Sequence, residues 1–335
     1  MEDIDLEVHL PVSAQPSAEA RIEYVTSAEE HGYDRVWQSE SWGREAVAML
    51  TAMAERTDEI GLGSSIMNVY SRTPTQLAQG AATLQELSDG RFRLGLGPSG
   101  PAVIENWHGA EFDRPLRRTR EYVEIIRKAL AHERLDYDGE VFQLRGLKLR
   151  QSPPEPAPSI DTAGMGEKMV ELAGRFANGW HGLMFTPDGL RERLADLQRG
   201  AELGDRDPDD VRVTLSLPTC ALSDAERANE LGYRHVAFYL GGMGTYYRDA
   251  LADQGHPDVA HAVYDAWQDG ERERAIERLR EVFAGALCAS GSPAEVREVF
   301  ESYAAVDGLD AIAINPPRGC EPADVTETLA ALAPE

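Results

Sequence analysis

The sequence predicts an α/β protein that folds as a (β/α)8 TIM barrel. Short apolar strand patterns alternate with amphipathic helix patterns along most of the chain, which is typical of a parallel sheet with helical crossovers. Eight strands can be counted, and the 335 residues exceed the ~250 of a typical barrel, which leaves room for an insertion. An open, doubly wound sheet is the alternative, but the count of eight strands favours the barrel.

The predicted strands are apolar runs bounded by glycine, proline or charged residues. They cover residues 6–12, 33–39, 60–66, 91–97, 159–163, 179–184, 211–217 and 309–314. Residues 137–149 predict a short hairpin or irregular loop that turns at Asp138-Gly139. A proline-rich tract at 151–158 follows, and we interpret it as a loop because strand–helix alternation resumes in phase after it.

The predicted helices carry apolar residues at three- and four-residue spacing. They cover residues 17–31, 44–56, 75–87, 116–132, 167–177, 190–203, 293–305 and 323–332. Ser17 can cap the first helix. Residues 222–288 predict mostly helix and are longer than one crossover requires. We therefore expect one domain over residues 1–335, with a helical insertion at about 222–288 between strands seven and eight.

The chain is strongly acidic, with a formal net charge of −25 from 58 acidic and 33 basic residues. Its lysines are confined to Lys128, Lys148 and Lys168. Such a surface resembles proteins of salt-rich cytosols, where ions screen the repulsion between like charges, so we expect a halophilic archaeal source. An ordinary acidic enzyme is the alternative. The charge argues against a nucleic acid or an anionic membrane as partner.

Cysteine usage and hydropathy predict a cytoplasmic protein. Cys220, Cys288 and Cys320 are odd in number and far apart, which fits neither a zinc site nor a disulfide scaffold. No apolar run reaches the ~18 residues of a membrane span, and the N-terminus lacks a charged-then-apolar leader. Metalloprotease, hydrolase-elbow, P-loop and Cys-x-x-Cys motifs do not occur, so we expect no metal and no nucleophilic triad.

The stretch 60–100 carries the strongest functional signal. Strand three, a helix and strand four form a parallel βαβ unit, and both strands end in small residues at the edge where barrels bind ligands. After strand five, Gly164-Met165-Gly166 leads into a helix that contains Lys168. Glycine N–H groups, the positive helix end and the lysine can bind a phosphate there, and an ordinary turn is the alternative.

Five segments resemble the bacterial luciferase-like superfamily and, more narrowly, its branch that uses the deazaflavin coenzyme F420. They are GYDRVWQSESWGREAV (32–47), IGLGSSIMNVYSRTP (60–74), LSDGRFRLGLGPSGPAVIENWHG (87–109), FDRPLRRTREYVEIIRKAL (112–130) and GMGEKMVELAGRFANGW (164–180). The resemblance implies a barrel that holds a planar ring at the C-terminal ends of its strands, hydride transfer, and often a homodimer.

The resemblance also implies cofactor-binding residues. A bulge with a cis peptide bond between Ser65 and Ile66 would stand behind the ring, and a plain strand end is the alternative. The other candidates are Asn68, Gly97, Pro98, Ser99, Ala163, Gly164, Met165, Gly166 and Lys168. Asn68 would bond the pyrimidine edge of the ring. Gly97, Pro98 and Ser99 would contact the ring or its ribityl chain, and the residues from Ala163 to Lys168 in this set would hold the phosphate.

The catalytic candidates are Glu40, Ser41 and His9. Family members often have Asp-His where this chain has Glu40-Ser41, and a serine is no base near neutral pH, whereas a buried Glu40 could titrate. Alternatively, Glu40 is a helix N-terminal charge near Arg44. His9 shares a face of strand one with Glu7 and could protonate a substrate, and a hydrogen-bonded core histidine is the alternative.

Three further residues are predicted to line the substrate pocket. Trp42 could form a wall of it, and Trp180 and His181 at the end of strand six could face it, with core packing as the alternative for these two. Gly100 stands where some sugar-phosphate dehydrogenases of the branch carry a glutamate, which argues against that activity.

Taken with the resemblance, these residues predict an F420-dependent oxidoreductase that transfers hydride to or from a small organic molecule. A methylene-tetrahydropterin or methylene-tetrahydrofolate is the specific candidate, which would place the enzyme in one-carbon metabolism. An FMN-dependent luciferase-like monooxygenase is the alternative, and a non-catalytic homologue that only carries the cofactor is a third hypothesis. We expect a homodimer.

Overall fold

The structure is a computed structural model that describes residues 4–11, 17–152, 154–283 and 285–334. Its strands are β1 (Asp5–His9), β2 (Arg35–Gln38), β3 (Gly61–Ser64), β4 (Met67–Asn68), β5 (Phe92–Gly97), β6 (Leu135–Asp138), β7 (Gln143–Leu147), β8 (Ser159–Ala163), β9 (Gly179–Leu183), β10 (Arg212–Ala221), β11 (Ala289–Gly291) and β12 (Ala311–Asn315).

The helices lie between these strands and cover the outside of the sheet. They are α1 (Ala18–Glu30), α2 (Ala46–Ala54), α3 (Pro74–Leu87), α4 (Pro101–Asn106), α5 (Pro115–Leu130), α6 (Glu167–Phe176), α7 (Pro187–Leu203), α8 (Ala225–Gly242), α9 (Tyr246–Ala252), α10 (Pro257–Gln268), α11 (Arg272–Val282), α12 (Pro293–Ala304) and α13 (Pro322–Leu332).

Among the described residues, eight parallel strands close into a barrel. β1 pairs with β2 on one side and with β12 on the other, and the ring continues through β3, β5, β8, β9 and β10 back to β12. β6 and β7 form an antiparallel hairpin apart from this sheet, and β11 pairs with the end of β10. The predicted TIM barrel is therefore confirmed, and so is the predicted hairpin.

Most predicted elements lie within a few residues of their predicted ends, and the predicted strand 159–163 coincides with β8. β10 is longer than predicted and runs to Ala221. The prediction missed α4 and β11, which span only six and three residues. The described part of 222–288 contains α8 to α11, as its helical pattern predicts. The predicted end of the first strand, Val12, lies outside the described residues.

Side chains alternate along each barrel strand, so every second residue faces the lumen. Two lumen glycines make room for large neighbours. A Cβ atom on Gly63 would lie 2.1 Å from the indole ring of Trp37, which is fully buried. A Cβ atom on Gly179 would lie 2.6 Å from a carboxylate oxygen of Asp161. These glycines are thus required by the space that the lumen side chains occupy.

The lower lumen contains a buried carboxylate with a full set of partners. Glu7 is completely buried and accepts hydrogen bonds from Nε1 of Trp37 at 2.6 Å and from the Arg212 guanidinium at 2.9 Å. The Arg35 guanidinium lies 3.8 Å from the same carboxylate. Because an unpaired charge in the interior costs several kcal/mol, this side chain depends on these three neighbours.

The fold brings two distant cysteines together. Cys220 at the end of β10 and Cys320 before α13 are both buried, and their sulfur atoms lie 3.9 Å apart as free thiols. The two thiols are therefore neighbours in the fold although they are far apart in the sequence. Over the described ranges, none of the helices combines the length and the hydropathy that a membrane span requires. In the same residues, no group of three or more His, Cys, Asp or Glu side chains is arranged to hold a metal ion.

We expect Gly63→Ala to destabilise the barrel by at least about 1–3 kcal/mol, because the new methyl group would overlap the immobile ring of Trp37. Gly43→Ala is the matched control, since its Cβ atom would meet nothing within 4 Å, and it should change the free energy of unfolding by less than about 0.5 kcal/mol. Urea unfolding of both variants measures the difference. Equal unfolding midpoints would show that the lumen can accommodate the methyl group.

Candidate active site

The end of β3 departs from regular strand geometry at the predicted position. β3 pairs Gly63 with Arg93 of β5, and β4 pairs Met67 with Leu96, so one chain advances four residues while its partner advances three. This difference defines a one-residue bulge. The peptide bond between Ser65 and Ile66, inside the bulge, is cis, which confirms the prediction made for this bond.

The ends of β3, β5 and β8 converge at this bulge. A Cβ atom on Gly97 would lie 3.1 Å from Cγ1 of Ile66 and 3.5 Å from the carbonyl oxygen of Ala163. The Ser64 hydroxyl exchanges hydrogen bonds with the backbone N–H and carbonyl of Gly95, at 2.9 and 3.0 Å. Ile66 itself is only half-buried, so its apolar side chain is partly accessible at the converging strand ends.

The loop from β5 to α4 borders the same edge. It contains Pro98, Ser99 and Gly100, all partly exposed, and Ser99 has a positive φ of 58°. α4 begins directly afterwards at Pro101, a residue type suited to the first position of a helix. The predicted ring-contacting residues Gly97, Pro98 and Ser99 therefore follow one another at this edge, and Gly97 packs against Ile66.

The loop between β8 and α6 carries the predicted phosphate site. Gly166 is the N-cap of α6 without any side-chain cap, and a Cβ atom on it would meet nothing within 4 Å. The first N–H groups of α6 are therefore open to an anion. Gly164 is closely packed on Met169, and the N–H of Met165 donates to the hydroxyl of Tyr246 at 3.3 Å.

Lys168 is already engaged on the protein surface. Its ammonium group lies 3.0 Å from Glu171 and 3.3 Å from Glu167, and these carboxylates also bind Arg199. The hydrogen bonds that Lys168 donates to Glu171 and Glu167 raise the pKa of Lys168. The lysine is exposed and its charge is largely balanced, so the open helix end is the stronger anion site of this loop.

A continuous polar chain runs from the lumen to the bulge. Asp161 is buried and forms a double hydrogen bond with the Arg93 guanidinium, at 2.7 and 2.9 Å. His181 Nε2 lies 3.2 Å from the same carboxylate, and Nδ1 lies 3.0 Å from the hydroxyl of Ser65. Burial alone would raise the pKa of Asp161, but Arg93 and His181 together lower it below its usual range. The carboxyl is therefore ionised at neutral pH.

His9 faces the same lumen and has no partner for one nitrogen. Within the described chain, its buried Nε2 atom makes no hydrogen bond. Burial and then the charge of nearby His181 lower the pKa of His9 to about 3. An imidazolium at His9 is thus unavailable at neutral pH, which disfavours the predicted role of a general acid, but the neutral ring can still hydrogen bond to a ligand.

Glu40 is held by a strong ion pair. Its two carboxylate oxygens accept hydrogen bonds from the Arg72 guanidinium at 2.6 and 2.9 Å, and one of them also accepts the N–H of Ala46 at the start of α2. Glu40 therefore matches the alternative given for it, a charge at the N-terminus of a helix, but its partner is Arg72 rather than Arg44. Ser41, the other candidate of this loop, is partly exposed.

Of the four remaining candidates, Trp180 and Asn68 are fully buried, whereas Trp42 and His181 are not. Trp42 is 51% exposed in the loop after β2, and His181 lies in the lumen. Trp180 is fully buried on the opposite face of β9 and donates from Nε1 to the carbonyl of Gly164 at 2.8 Å, so it packs beneath the loop rather than facing the pocket. Asn68 is also fully buried, and its side-chain oxygen accepts the N–H groups of the next turn.

The sequence analysis missed Asp161, Arg93 and Tyr246. Asp161 and Arg93 are charged residues at lumen positions of otherwise apolar strands, and this placement was a usable signal. Tyr246 offers none, because its contact with Met165 joins residues 81 positions apart. The structure also arranges Ser65, His181 and Asp161 in a line although no triad motif occurs in the sequence.

A closed parallel barrel with glycine loops and buried titratable groups at its C-terminal strand ends is typical of TIM-barrel enzymes. The chain belongs to the Luciferase-like monooxygenase family, whose sequence profile matches residues 6–308. A Mycobacterium tuberculosis protein assigned provisionally as a coenzyme F420-dependent oxidoreductase is 32% identical over 282 residues, which are 79% of this chain and 81% of the relative. A 5,10-methylenetetrahydromethanopterin reductase of Methanolobus tindarius is 31% identical over 65% of this chain and 67% of its own length.

Solved structures share the whole architecture. The coenzyme F420-dependent tetrahydromethanopterin reductase of Methanopyrus kandleri superposes with a TM-score of 0.82 at 23% identity, covering 99% of this chain and 98% of the other. An F420-dependent secondary alcohol dehydrogenase superposes with a TM-score of 0.77 at 16% identity, over 98% of each chain. At such identities the likeness establishes the fold.

A second buried histidine provides a test of the electrostatics. His235 on α8 accepts the N–H of Arg318 at 2.8 Å through Nδ1, and burial followed by Arg318 lowers the pKa of His235 to about 3. Because the unfolded chain takes up this proton near pH 6.5, stability should fall by up to about 1.4 kcal/mol per pH unit for this group as the pH drops from 6.5 to 3.

We expect His235→Gln to reduce that pH dependence, measured as the free energy of unfolding between pH 4 and 7. His261→Gln, at an exposed position of α10, is the control and should leave the slope unchanged. The same slope in His235→Gln and in the unaltered protein would mean that His235 titrates normally in the folded state.

Proposed function

We propose that this protein is a coenzyme F420-dependent oxidoreductase that transfers a hydride between the deazaflavin and a small organic substrate. The observation that carries the proposal is the convergence of β3, β5 and β8 beside the open N-terminus of α6. Such a surface suits a flat ring with a phosphate tail. The similarity to F420-dependent relatives supports the same cofactor.

The residues present fit this group. Ile66 would contact the ring through its half-buried apolar side chain, and Gly97 would make room for that side chain, because a Cβ atom there would lie 3.1 Å from Cγ1 of Ile66. The N–H groups that follow Gly166 would hold the phosphate, since nothing caps them. When bound, the deazaflavin would supply two-electron hydride chemistry. The protein would hold it in place and exclude water from the lumen side.

The neutral ring of His9 would hydrogen bond to the substrate or to the cofactor, because its unpartnered nitrogen lies in the upper lumen. For the substrate we propose a methylene-tetrahydropterin, on the similarity to two reductases of that class. Gly100 cannot supply the carboxylate expected for a sugar-phosphate dehydrogenase. Glu40 and Ser41 remain candidates for contact with substrate, with the Glu40–Arg72 ion pair as the group that would position this loop.

Cofactor titration of the apoprotein tests this proposal. We expect saturable quenching of tryptophan fluorescence by coenzyme F420 and none by FMN at the same concentrations. Gly166→Asp should raise the Kd for F420 at least about tenfold, because the new carboxylate would cap α6 and repel the phosphate. Its melting temperature should stay equal or rise slightly, since an N-cap aspartate is more stabilising than an N-cap glycine by only about a few tenths of a kcal/mol.

Ser17→Asp is the matched control, because it adds the same charge at the exposed N-cap of α1, four strands around the barrel from β8. It should leave the Kd unchanged. Saturable binding of FMN without binding of F420 would favour an FMN-dependent monooxygenase and overturn the proposal. An unchanged Kd in Gly166→Asp would exclude the α6 terminus as the phosphate site.

We also propose that the protein works as a homodimer in the salt-rich cytoplasm of a halophile. The support for the halophilic source is the net charge of −25 on a chain with only three lysines, and the support for the dimer is the resemblance to a superfamily whose members are often homodimers. Salt screens this repulsion, and the screening length falls from ~10 Å at about 0.1 M KCl to ~2–3 Å at about 2 M KCl. The unfolding midpoint should therefore rise steeply between these two concentrations. Sedimentation should give about twice the chain mass. A midpoint that is flat with salt would contradict the halophilic assignment.

A further inference from the structure

An aromatic stack of four rings (His235, Tyr239, Tyr247 and Tyr246) lies on the helical insertion that follows β10. We propose that its two inner rings, Tyr239 and Tyr247, bind the planar ring of the substrate and hydrogen bond to the polar edge of that ring. The proposal rests on the proposed function and deepens it, because it names the side chains that would recognise a tetrahydropterin.

The insertion is fastened to the C-terminal ends of three barrel strands. The backbone N–H of Arg318, after β12, donates to Nδ1 of His235 on α8 at 2.8 Å. The N–H of Met165, after β8, donates to the Tyr246 hydroxyl on α9 at 3.3 Å. Gln254, after α9, forms two hydrogen bonds of 3.0 Å with backbone groups of the loop after β9. The insertion therefore crosses the edge of the barrel at which such folds bind their ligands.

The aromatic stack connects the first two of these anchors. His235 stacks on Tyr239 with ring centroids 4.8 Å apart and an interplanar angle of 23°. Tyr239 meets Tyr247 edge to face at 4.8 Å, and Tyr247 meets Tyr246 in the same way at 5.8 Å. Aromatic pairs of these geometries attract one another. Because the two ends of the stack are tied to the loops after β12 and β8, the inner rings lie over the mouth of the barrel between those loops.

The inner part of the stack has polar groups that the protein does not use. Within the described ranges, neither the Tyr239 nor the Tyr247 hydroxyl makes a hydrogen bond, although both residues are half-buried and burial raises the pKa of each. Nε2 of His235 is buried and also lacks a partner there. Because Nδ1 of the neutral ring accepts a hydrogen bond, Nε2 carries the proton and is a donor. A buried tyrosine hydroxyl usually finds a partner, so these three groups indicate a polar ligand.

The stack stands across the barrel from the bulge. Around the closed ring of strands, β10 is four strands from β3 in either direction. A deazaflavin ring against Ile66 would therefore turn its free face toward the stack, and a substrate must meet that face because the bulge covers the other one. Because β1 pairs with β12, His9 lies on the strand beside the β12 end of the stack.

A pterin fits the chemistry of this wall. The pyrimidine part of a tetrahydropterin is planar, and its edge carries both hydrogen-bond donors and acceptors. The two tyrosine hydroxyls can donate or accept, and the imidazole of His235 can donate. A small aliphatic alcohol would offer no flat ring and would leave most of these groups unpaired, at a cost in affinity.

Tyr239→Phe and Tyr247→Phe test the two hydroxyls, because each substitution keeps the ring. We expect each to raise the Kd for tetrahydromethanopterin about three- to tenfold, the effect of one hydrogen bond, in isothermal titrations of the full-length protein with and without F420. The Kd for F420 should stay within about twofold. Tyr264→Phe is the matched control and should change neither Kd, because Tyr264 packs under Arg248 on α10 and is outside the stack.

The melting temperature of the free variants separates a binding role from a structural one. Because the two hydroxyls have no partner among the described residues, their removal should leave the melting temperature of the free protein unchanged. A lower melting temperature, an unchanged Kd for tetrahydromethanopterin in both variants, or an equal loss of F420 affinity would overturn the proposal.

Failure of the proposed function gives a different result. If the unaltered protein binds F420 but no tetrahydromethanopterin, the cofactor assignment stands and the ring chemistry assigned to the stack is wrong. If it binds tetrahydromethanopterin through these hydroxyls but does not bind F420, the proposed cofactor is wrong and the role of the stack is supported.

Discussion

This structure depends on the pairing of buried carboxylates in the lumen with arginine side chains. Glu7 and Asp161 lie inside a closed barrel, where an unpaired charge would cost several kcal/mol. Arginines on other strands of the barrel, Arg93 beside Asp161 and Arg212 beside Glu7, meet this requirement. Breaking such a pair from one side typically costs about 3–5 kcal/mol, so the charged residues constrain each other across four strands.

This constraint also explains where the glycines lie. Large side chains fill the lumen from a few strands, and the facing positions must then be empty, as at Gly63 opposite Trp37. The lower lumen is closed in this way by an indole and paired charges. The upper lumen is different, because His9 keeps a buried nitrogen without a partner among the described residues and Ser65 reaches the surface. Chemistry is therefore expected at this end, where polar capacity is unused.

Much of the architecture could be predicted from the sequence, because strand alternation and helix periodicity are local signals. The bulge at Ser65-Ile66 was predicted only through the resemblance to the luciferase-like family, whereas the loop at Gly164 to Gly166 was predicted from its glycines between a strand and a helix. The individual roles were harder to predict. The ion pair between Glu40 and Arg72 joins residues 32 positions apart, and no local pattern encodes it.

For the remaining candidate residues, only the closed barrel shows which side chains face the lumen. Trp180 and His181 are adjacent in sequence, so alternation places them on opposite faces, but only the closed sheet shows which face is the lumen. Asn68 has the composition of a ligand-binding residue, yet its oxygen is used by the turn that follows it. The chain from Asp161 through His181 to Ser65 is visible only after three strands have been brought together.

A crystal structure with coenzyme F420 bound is the most direct test of this interpretation. We expect the deazaflavin ring to lie against Ile66, and the phosphate to accept hydrogen bonds from the first N–H groups of α6. A ring bound away from the ends of β3, β5 and β8, or a phosphate held elsewhere, would contradict the assignment of the site.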